Sequence, residues 1–179
     1  VSLAIEVVDE RAMTAALDEA IRRSLCECFP SETAFFSSGR AWHGSAPVYS
    51  LVAREESRVT GHVGVVVREI AAGGVAATVA GIQNFAVVPD RRKTGLSRRL
   101  MEGAMEEAKR RGVAFGLLFC VPGLERFYAS LGWRTLPVRA RMRYEGREQE
   151  IPAKNIAMAI PLAGKPFPTG DLHLLGPDW

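Results

Sequence analysis

Three observations predict an α/β (α+β) fold in a single domain. Strict alternation runs from Val59 to Ile70, with Val59, Gly61, Val63, Val65 and Val67 on one side and Thr60, His62, Gly64, Val66 and Arg68 on the other. A period of two is the mark of a strand. Gly73-Gly74 follows at once, a pair able to take the positive φ angles of a tight hairpin. From Phe85 the chain then reads apolar run, basic turn with a glycine, helix-spaced run and second apolar run ending at Val121, the order of a βαβ unit. At 179 residues there is room for one full hydrophobic core, and a second domain would be cramped.

Each element follows from its local pattern. Leu3 to Val8 is rich in β-branched residues and predicts a first strand. Met13, Ala16, Leu17, Ala20, Ile21 and Leu25 recur at three and four residues and share one face of a helix ending near Pro30. Ser31 to Pro47 carries Phe35, Phe36, Trp42 and His43 without periodicity. Such aromatics either fold back onto the core or line a pocket. Tyr49 to Arg54 predicts a strand before the alternating one. After the hairpin, Val75 to Val88 is long for one strand, and Gly81 in its interior predicts a bulge or splay.

Leu96, Leu100, Ala104 and Ala108, four apart, predict a helix that Gly112 terminates. Phe115 to Val121 is continuously apolar, as a strand buried on both faces would be. Leu124 to Leu131 predicts a short helix stopped by Gly132. Trp133 to Tyr144 and Asn155 to Leu162 predict two further strands joined by a polar turn. Ala163 to Trp179 is a proline- and glycine-rich tail.

Composition bounds the function. With 47% hydrophobic and 24% charged residues the chain falls in the ordinary globular range. No run approaches a membrane span, and Val1 to Glu6 lacks the form of a secretory leader. Cys26, Cys28 and Cys120 suit neither a disulfide framework nor a zinc site, which makes a reducing cytoplasm the expected location, buried thiols the expected state and a metal unexpected. The net charge of +3 comes without a basic block or nucleic-acid motif, so it fits an anionic cofactor as well as a nucleic acid. Neither a membrane nor a nucleic acid is expected as partner, and a homodimer is one assembly the sequence permits.

The basic turn Val88-Pro89-Asp90-Arg91-Arg92-Lys93-Thr94-Gly95-Leu96-Ser97 puts backbone N–H groups at a helix N-terminus, where the peptide dipoles favour an anion. Arg91, Arg92 and Lys93 add full charges. The glycine spacing fits neither common nucleotide loop. Arg92-x-x-Gly95-x-Ser97 resembles instead the pyrophosphate loop of the GNAT N-acetyltransferases, with Ser97 a departure from that family's final Gly/Ala. Phe127-Tyr128-Ala129-Ser130-Leu131-Gly132-Trp133 matches the same family's Tyr-x-x-Leu-Gly-Phe/Trp element at the right distance. Two motifs in order identify the chain as a member, covering roughly residues 50 to 162 directly.

The resemblance implies a single mixed, mostly antiparallel sheet with its fourth and fifth strands splayed apart and helices on its faces. It implies acetyl-CoA as acyl donor, held by Phe85, Ala86, Val87, Val88, Arg92, Lys93, Thr94, Gly95, Leu96 and Ser97, with a backbone N–H near Val87 polarising the thioester. Tyr128 would give a proton to the departing thiolate. Gln83 stands where the aminoglycoside 2′-N-acetyltransferases carry a glutamate, and an amide could only orient the amine or a water. Those enzymes are the most similar around Gly61 to Val65, around Tyr128 to Trp133 and in the Asp178-Trp179 ending. The rhizobial nodulation N-acyltransferases resemble Arg40-x-Trp42-x-Gly44 and His62-x-Gly64.

The implied acceptor is a small-molecule amine of an aminoglycoside or amino sugar, contacted by Phe36, Arg40, Trp42, His62 and Asp178, with antibiotic resistance as the outcome. The amine proton is expected to leave through water to bulk, or to Asp178 or the terminal carboxylate of Trp179 if the tail folds over the site. A loop with Arg40 and no carboxylate suits an acceptor with few amines or a carboxylate of its own. Kasugamycin has that chemistry, and a kasugamycin 2′-N-acetyltransferase is the sharpest expectation; a longer-chain N-acyltransferase of the nodulation type and a non-catalytic acyl-CoA-binding regulatory module are the alternatives.

Overall fold

A computed structural model describes residues 2–152 and 154–179. The order is β1 (Leu3–Asp9), α1 (Ala15–Cys28), α2 (Thr33–Phe36), β2 (Tyr49–Glu55), β3 (Arg58–Ala72), β4 (Val75–Val87), α3 (Leu96–Arg110), β5 (Phe115–Cys120), α4 (Glu125–Ala129), β6 (Arg134–Leu136), β7 (Ala140–Tyr144), β8 (Arg147–Glu150), β9 (Ile156–Pro161) and β10 (Leu172–His173). The α1 helix starts at Thr14, whose side chain accepts from the Leu17 N–H, and stops before Pro30. It buries Ile21, Ser24 and Leu25, one stripe at three- and four-residue spacing. Helix α3 buries Leu96, Leu100, Met101, Ala104, Met105 and Ala108 and ends before Gly112, whose φ of 77° only glycine takes without strain.

Among the described residues all ten strands join one sheet, in the order β6-β9-β5-β4-β3-β10-β7-β8, with β2 on β3 and β1 on β2. Only the β4–β5 and β7–β10 pairs are parallel. The sheet curls into a half-barrel, the GNAT architecture. One edge of β3 meets β4 along its length; the other meets β2 first and β10 at Ala71 and Ala72. The α3 helix packs on one face, over Leu51, Val63 and Val65, while Val66, Leu117 and Trp179 pack together on the other.

Two expectations change, and the third, a bulge or splay at Gly81, is met in one of its two forms. The strand read from Trp133 to Tyr144 divides into β6, which pairs with β9, and β7, which pairs with β8 and β10; Pro137, between them, has no N–H to continue a ladder. The aperiodic loop contains the helical turn α2. The bulge is not at Gly81, which pairs regularly with Val66 and Leu117. It lies at Asn84 and Phe85, which together oppose Val63, because His62 pairs with Ala86 and Gly64 with Gln83. The splay does begin beside Gly81, since β4 and β5 pair only through Val79–Gly81 and Phe115–Leu117.

Candidate functional site

Where β4 and β5 part, a cavity of about 380 Å³ opens, walled by Gln83, Asn84 and Phe85 of β4, Cys120 of β5 and Tyr128 of α4. Phe36, Trp42 and Trp179 also line it. Tyr128 is 6% exposed and packs against Phe127 and Trp133. Its hydroxyl has no hydrogen-bond partner among the described residues, yet it is not among the sealed polar atoms, so it opens to the cavity. Burial, with Cys120 adding, pushes the phenol above its ordinary range, and it holds its proton at neutral pH. Burial likewise raises the Cys120 thiol, whose Sγ lies 3.9 Å from Met158 Sδ.

The turn between β4 and α3 has Lys93 at φ 64° and Gly95 at φ 84°. This geometry strands the N–H groups of Lys93, Thr94, Gly95, Leu96, Ser97 and Arg98, which find no acceptor among the described residues. A row of free donors at a helix N-terminus suits a phosphate or diphosphate. Arg92 Nε donates to Val87 O at 3.2 Å and Thr94 Oγ1 to Arg91 O at 2.7 Å, tying the turn to the end of β4. Arg92 and Lys93 are exposed and add charge. Arg91 does not: its guanidinium is held by Glu55 at 2.8 and 2.6 Å and by Asp90 at 2.8 Å.

The residues assigned to the acceptor divide. Phe36 and Trp42 reach the cavity and pack edge-to-face with Phe35, at ring centroid distances of 5.1 and 4.9 Å. Arg40, expected to meet the acceptor, is 7% exposed and turned inward, onto Glu10 and Asp18. Burial alone would lower its pKa, but the hydrogen bonds it donates to Glu10 and Asp18 raise it on balance. Two carboxylates compensate the cation, so it is a brace of the loop and not a ligand for a substrate carboxylate.

His62 is also misplaced by the expectation: it is fully buried, with Nδ1 2.9 Å from Asn84 O and Nε2 3.2 Å from Ser50 Oγ. A ring sealed on both nitrogens cannot touch an acceptor. Desolvation lowers its pKa from 6.5 to about 4, so it is neutral. The Gln83 amide is committed as well, with Nε2 donating to Ser45 O at 2.6 Å and Oε1 accepting the Trp42 N–H at 3.3 Å. It fixes the aromatic loop to β4.

The tail folds back onto this loop. Ser45 Oγ donates to Asp178 O at 2.6 Å, Arg68 Nη1 donates to Pro177 O at 2.5 Å, and the Asp178 carboxylate pairs with His43 Nδ1. Asp178 is therefore a latch outside the cavity wall. Trp179 lies flat against Gly81, where an added Cβ would come within 2.2 Å of indole Cε2. Glycine at 81 makes room for this ring. Arg68 caps the ring at 5.4 Å from its centroid.

Sequence reading missed Asn84, Cys120 and Glu32, which line the cavity. Asn84 carried a signal, since asparagine is depleted in strand interiors and tolerates left-handed backbone, here φ 50°. Glu32 carried none, because only the path of the loop brings it there.

Comparison with known proteins agrees with this geometry. The acetyltransferase (GNAT) domain family matches residues 10–136. Nodulation protein A of Bradyrhizobium elkanii is 33% identical over 114 residues, 60% of this chain and 53% of that protein, so the chain spans about half the length of this curated relative. The Escherichia coli GNAT family N-acetyltransferase YhbS, solved in complex with CoA, superposes with a TM-score of 0.66 at 20% identity, covering 98% of this chain and 92% of that one. A Brucella melitensis GNAT family acetyltransferase in complex with acetyl-CoA gives 0.61 at 19%, covering 94% of each chain. With most of its length matched by the family, and with the splayed strands and donor-rich turn in place, the chain belongs to the GNAT acetyltransferase family.

Proposed function

We propose that this chain is an acetyl-CoA-dependent N-acetyltransferase acting on an amine of an aminoglycoside-type amino sugar, with the 2′-amine of kasugamycin the first acceptor to test. One pairing of observations on β4 supports the reading: after its end, the N–H groups of Lys93 to Arg98 have no acceptor among the described residues, and beside its Gln83, Asn84 and Phe85 lies the cavity that the Tyr128 hydroxyl opens to. The N–H row with Arg92 and Lys93 would hold the CoA diphosphate, and the open edge of β4 from Phe85 to Val88 the pantetheine. When bound, acetyl-CoA supplies an activated thioester. Tyr128 Oη holds a proton and gives it to the leaving sulfur. The slot positions the amine, which makes the reaction effectively unimolecular.

Phe36, Trp42 and Trp179 offer flat apolar faces of the kind that bury a sugar ring, and Glu32 is a carboxylate on the cavity wall able to meet an ammonium and take its proton. A polycation gains little from one carboxylate, which favours an acceptor with few amines. Since Arg40 is compensated by Glu10 and Asp18, a carboxylate on the acceptor is not what it would select.

A second reading, transfer of a longer acyl chain as in the nodulation N-acyltransferases, has its own observation. A cavity of about 600 Å³ shares Phe119 and Asn155 with the first, and Leu136, Val138, Ile151 and Ala157 give it apolar walls. Thiol release separates the readings. Acetyl-CoA with kasugamycin, gentamicin-type drugs, glucosamine or a peptide is compared with octanoyl-CoA under the same conditions. Turnover with acetyl-CoA and an amino sugar is expected. Preference for octanoyl-CoA selects the second reading, and CoA binding without any turnover defeats both in favour of a non-catalytic module.

A further inference from the structure

The strained residue of β4 is gripped from two directions. Asn84 stands at φ 50°, in the left-handed region. Its carbonyl oxygen lies 2.9 Å from His62 Nδ1, and its side-chain Nδ2 donates to Arg40 O at 2.5 Å and to Gln83 Oε1 at 3.4 Å. A carbonyl can only accept, so Nδ1 of the neutral ring carries the proton. The chain contains no cis peptide among its described residues, so the C=O of Asn84 and the N–H of Phe85 point in opposite directions across one planar unit. With the oxygen held toward His62 on β3, the Phe85 N–H faces away from β3. On that side β5 has already parted, and Phe85 lines the slot 6.3 Å, centroid to centroid, from the Tyr128 ring.

We infer that His62 and Asn84 are positioning residues that aim the Phe85 backbone N–H into the slot as the donor that polarises the thioester carbonyl, and that the Asn84 side chain ties this donor to the acceptor loop at Arg40. The inference rests on the donor reading above and assigns the polarising group to Phe85 in place of Val87: the Val87 N–H also points away from β3, since Val88 N donates to Thr60 O, but Phe85 lines the cavity and Val87 does not. A donor fixed before charge develops is worth more than one that must reorient, and the grip explains a sealed histidine that nothing in the acceptor chemistry uses. Because Arg40 is anchored on Glu10 and Asp18, the acceptor loop and the donor form one braced unit.

The test uses the full chain labelled with nitrogen-15 and titrated with CoA and, separately, with acetyl-CoA, which differ only in the acetyl group. Both ligands are expected to shift the amides of Lys93 to Ser97. Only acetyl-CoA is expected to move the Phe85 amide proton downfield. His62→Leu should abolish that acetyl-specific shift and lower kcat about tenfold, with KM for acetyl-CoA within about twofold, a fraction of the loss expected for deleting an oxyanion donor outright. His62→Gln, whose amide can donate to the same carbonyl, should restore most of both. An acetyl-specific shift at Val87 in place of Phe85, or one at Phe85 that survives His62→Leu, overturns the inference while the donor reading stands. No shift at Lys93 to Ser97 with either ligand overturns the donor reading and the inference with it. Should His62→Leu fail to fold, Asn84→Gly keeps the backbone angle and removes the side-chain tie. A rise of about fivefold in acceptor KM with unchanged acetyl-CoA affinity is then expected, on the sensitivity of transfer to small misplacement, and unchanged kinetics overturn the tie.

Discussion

The turn from Val88 to Ser97 at the end of β4 and the cavity wall to which Trp42 and Trp179 contribute are made from different parts of the chain. The turn presents main chain: its donors are N–H groups freed by the φ angles of Lys93 and Gly95, and side chains add only exposed charge. The wall is side chains cross-braced over long sequence separations, Arg40 to Glu10 and Asp18, Gln83 to Ser45, and Trp179 against Gly81. A main-chain site survives most substitutions and fails when backbone geometry fails. A braced side-chain wall fails when one brace is cut, since the partner is left buried without compensation.

Removing the side chain proposed to protonate the leaving thiolate should have the largest effect. Tyr128→Phe is expected to cut turnover by about 1,000-fold, within the range for a lost general acid, while CoA affinity measured by calorimetry stays within about twofold; a tyrosine that merely packs would leave turnover intact.

Acid should loosen the braced half next. The His62 pKa falls from 6.5 to about 4 on folding, so between those values the unfolded chain binds a proton that the folded chain refuses. Stability is therefore lost as pH drops from 6.5 toward 4, by on the order of 3 kcal/mol in urea titrations. His62→Gln should flatten that slope.

Cutting a brace comes third. Arg40→Met leaves Glu10 and Asp18 facing each other, at a cost of about 2 kcal/mol, below the value for a fully buried pair because both carboxylates are partly exposed. Chemical denaturation checks it, and the acceptor KM should rise while CoA affinity holds. Gly81→Ala, which pushes a methyl into the Trp179 indole, should raise the acceptor KM about tenfold by misplacing the wall.

The smallest effect belongs to the turn. Gly95→Ala has open space around the new methyl, so only the φ of 84° is penalised. About 1 kcal/mol of strain should weaken CoA binding about fivefold. If that affinity is unchanged, the turn does not hold the donor in the geometry described.

This contrast governs how far the sequence could be read. Strands, helices and the hairpin at Gly73-Gly74, with φ of 56° and 82°, are written in short periodic patterns and turn residues. The donor turn is equally local, because a basic loop with glycine before a helix fixes its own backbone. The acceptor contacts assigned to Arg40 and His62 are absent for one reason: distant residues close over both side chains, and neither a serine-rich loop nor a strand position announces them. The tail was expected to fold toward the acceptor site; its Asp178, assigned to the acceptor, pairs instead with His43 and Ser45 of the aromatic loop.

By itself, the sequence determined the class of fold, the order of elements and the basic turn before α3 with Gly95 in it. All of these depend on residues within a few positions of one another, where spacing and dipole direction suffice. Only the tertiary structure decided that the bulge sits at Asn84, that Gly81 is small to admit Trp179, and that Arg40 and His62 brace the site from behind. Those outcomes depend on which buried polar group finds which partner across 20 to 100 residues of chain, on the scale of the separations of 22, 30 and 109 seen for His62, Arg40 and Arg68. Desolvation makes such pairing obligatory once the chain has folded, and no local pattern announces the partner.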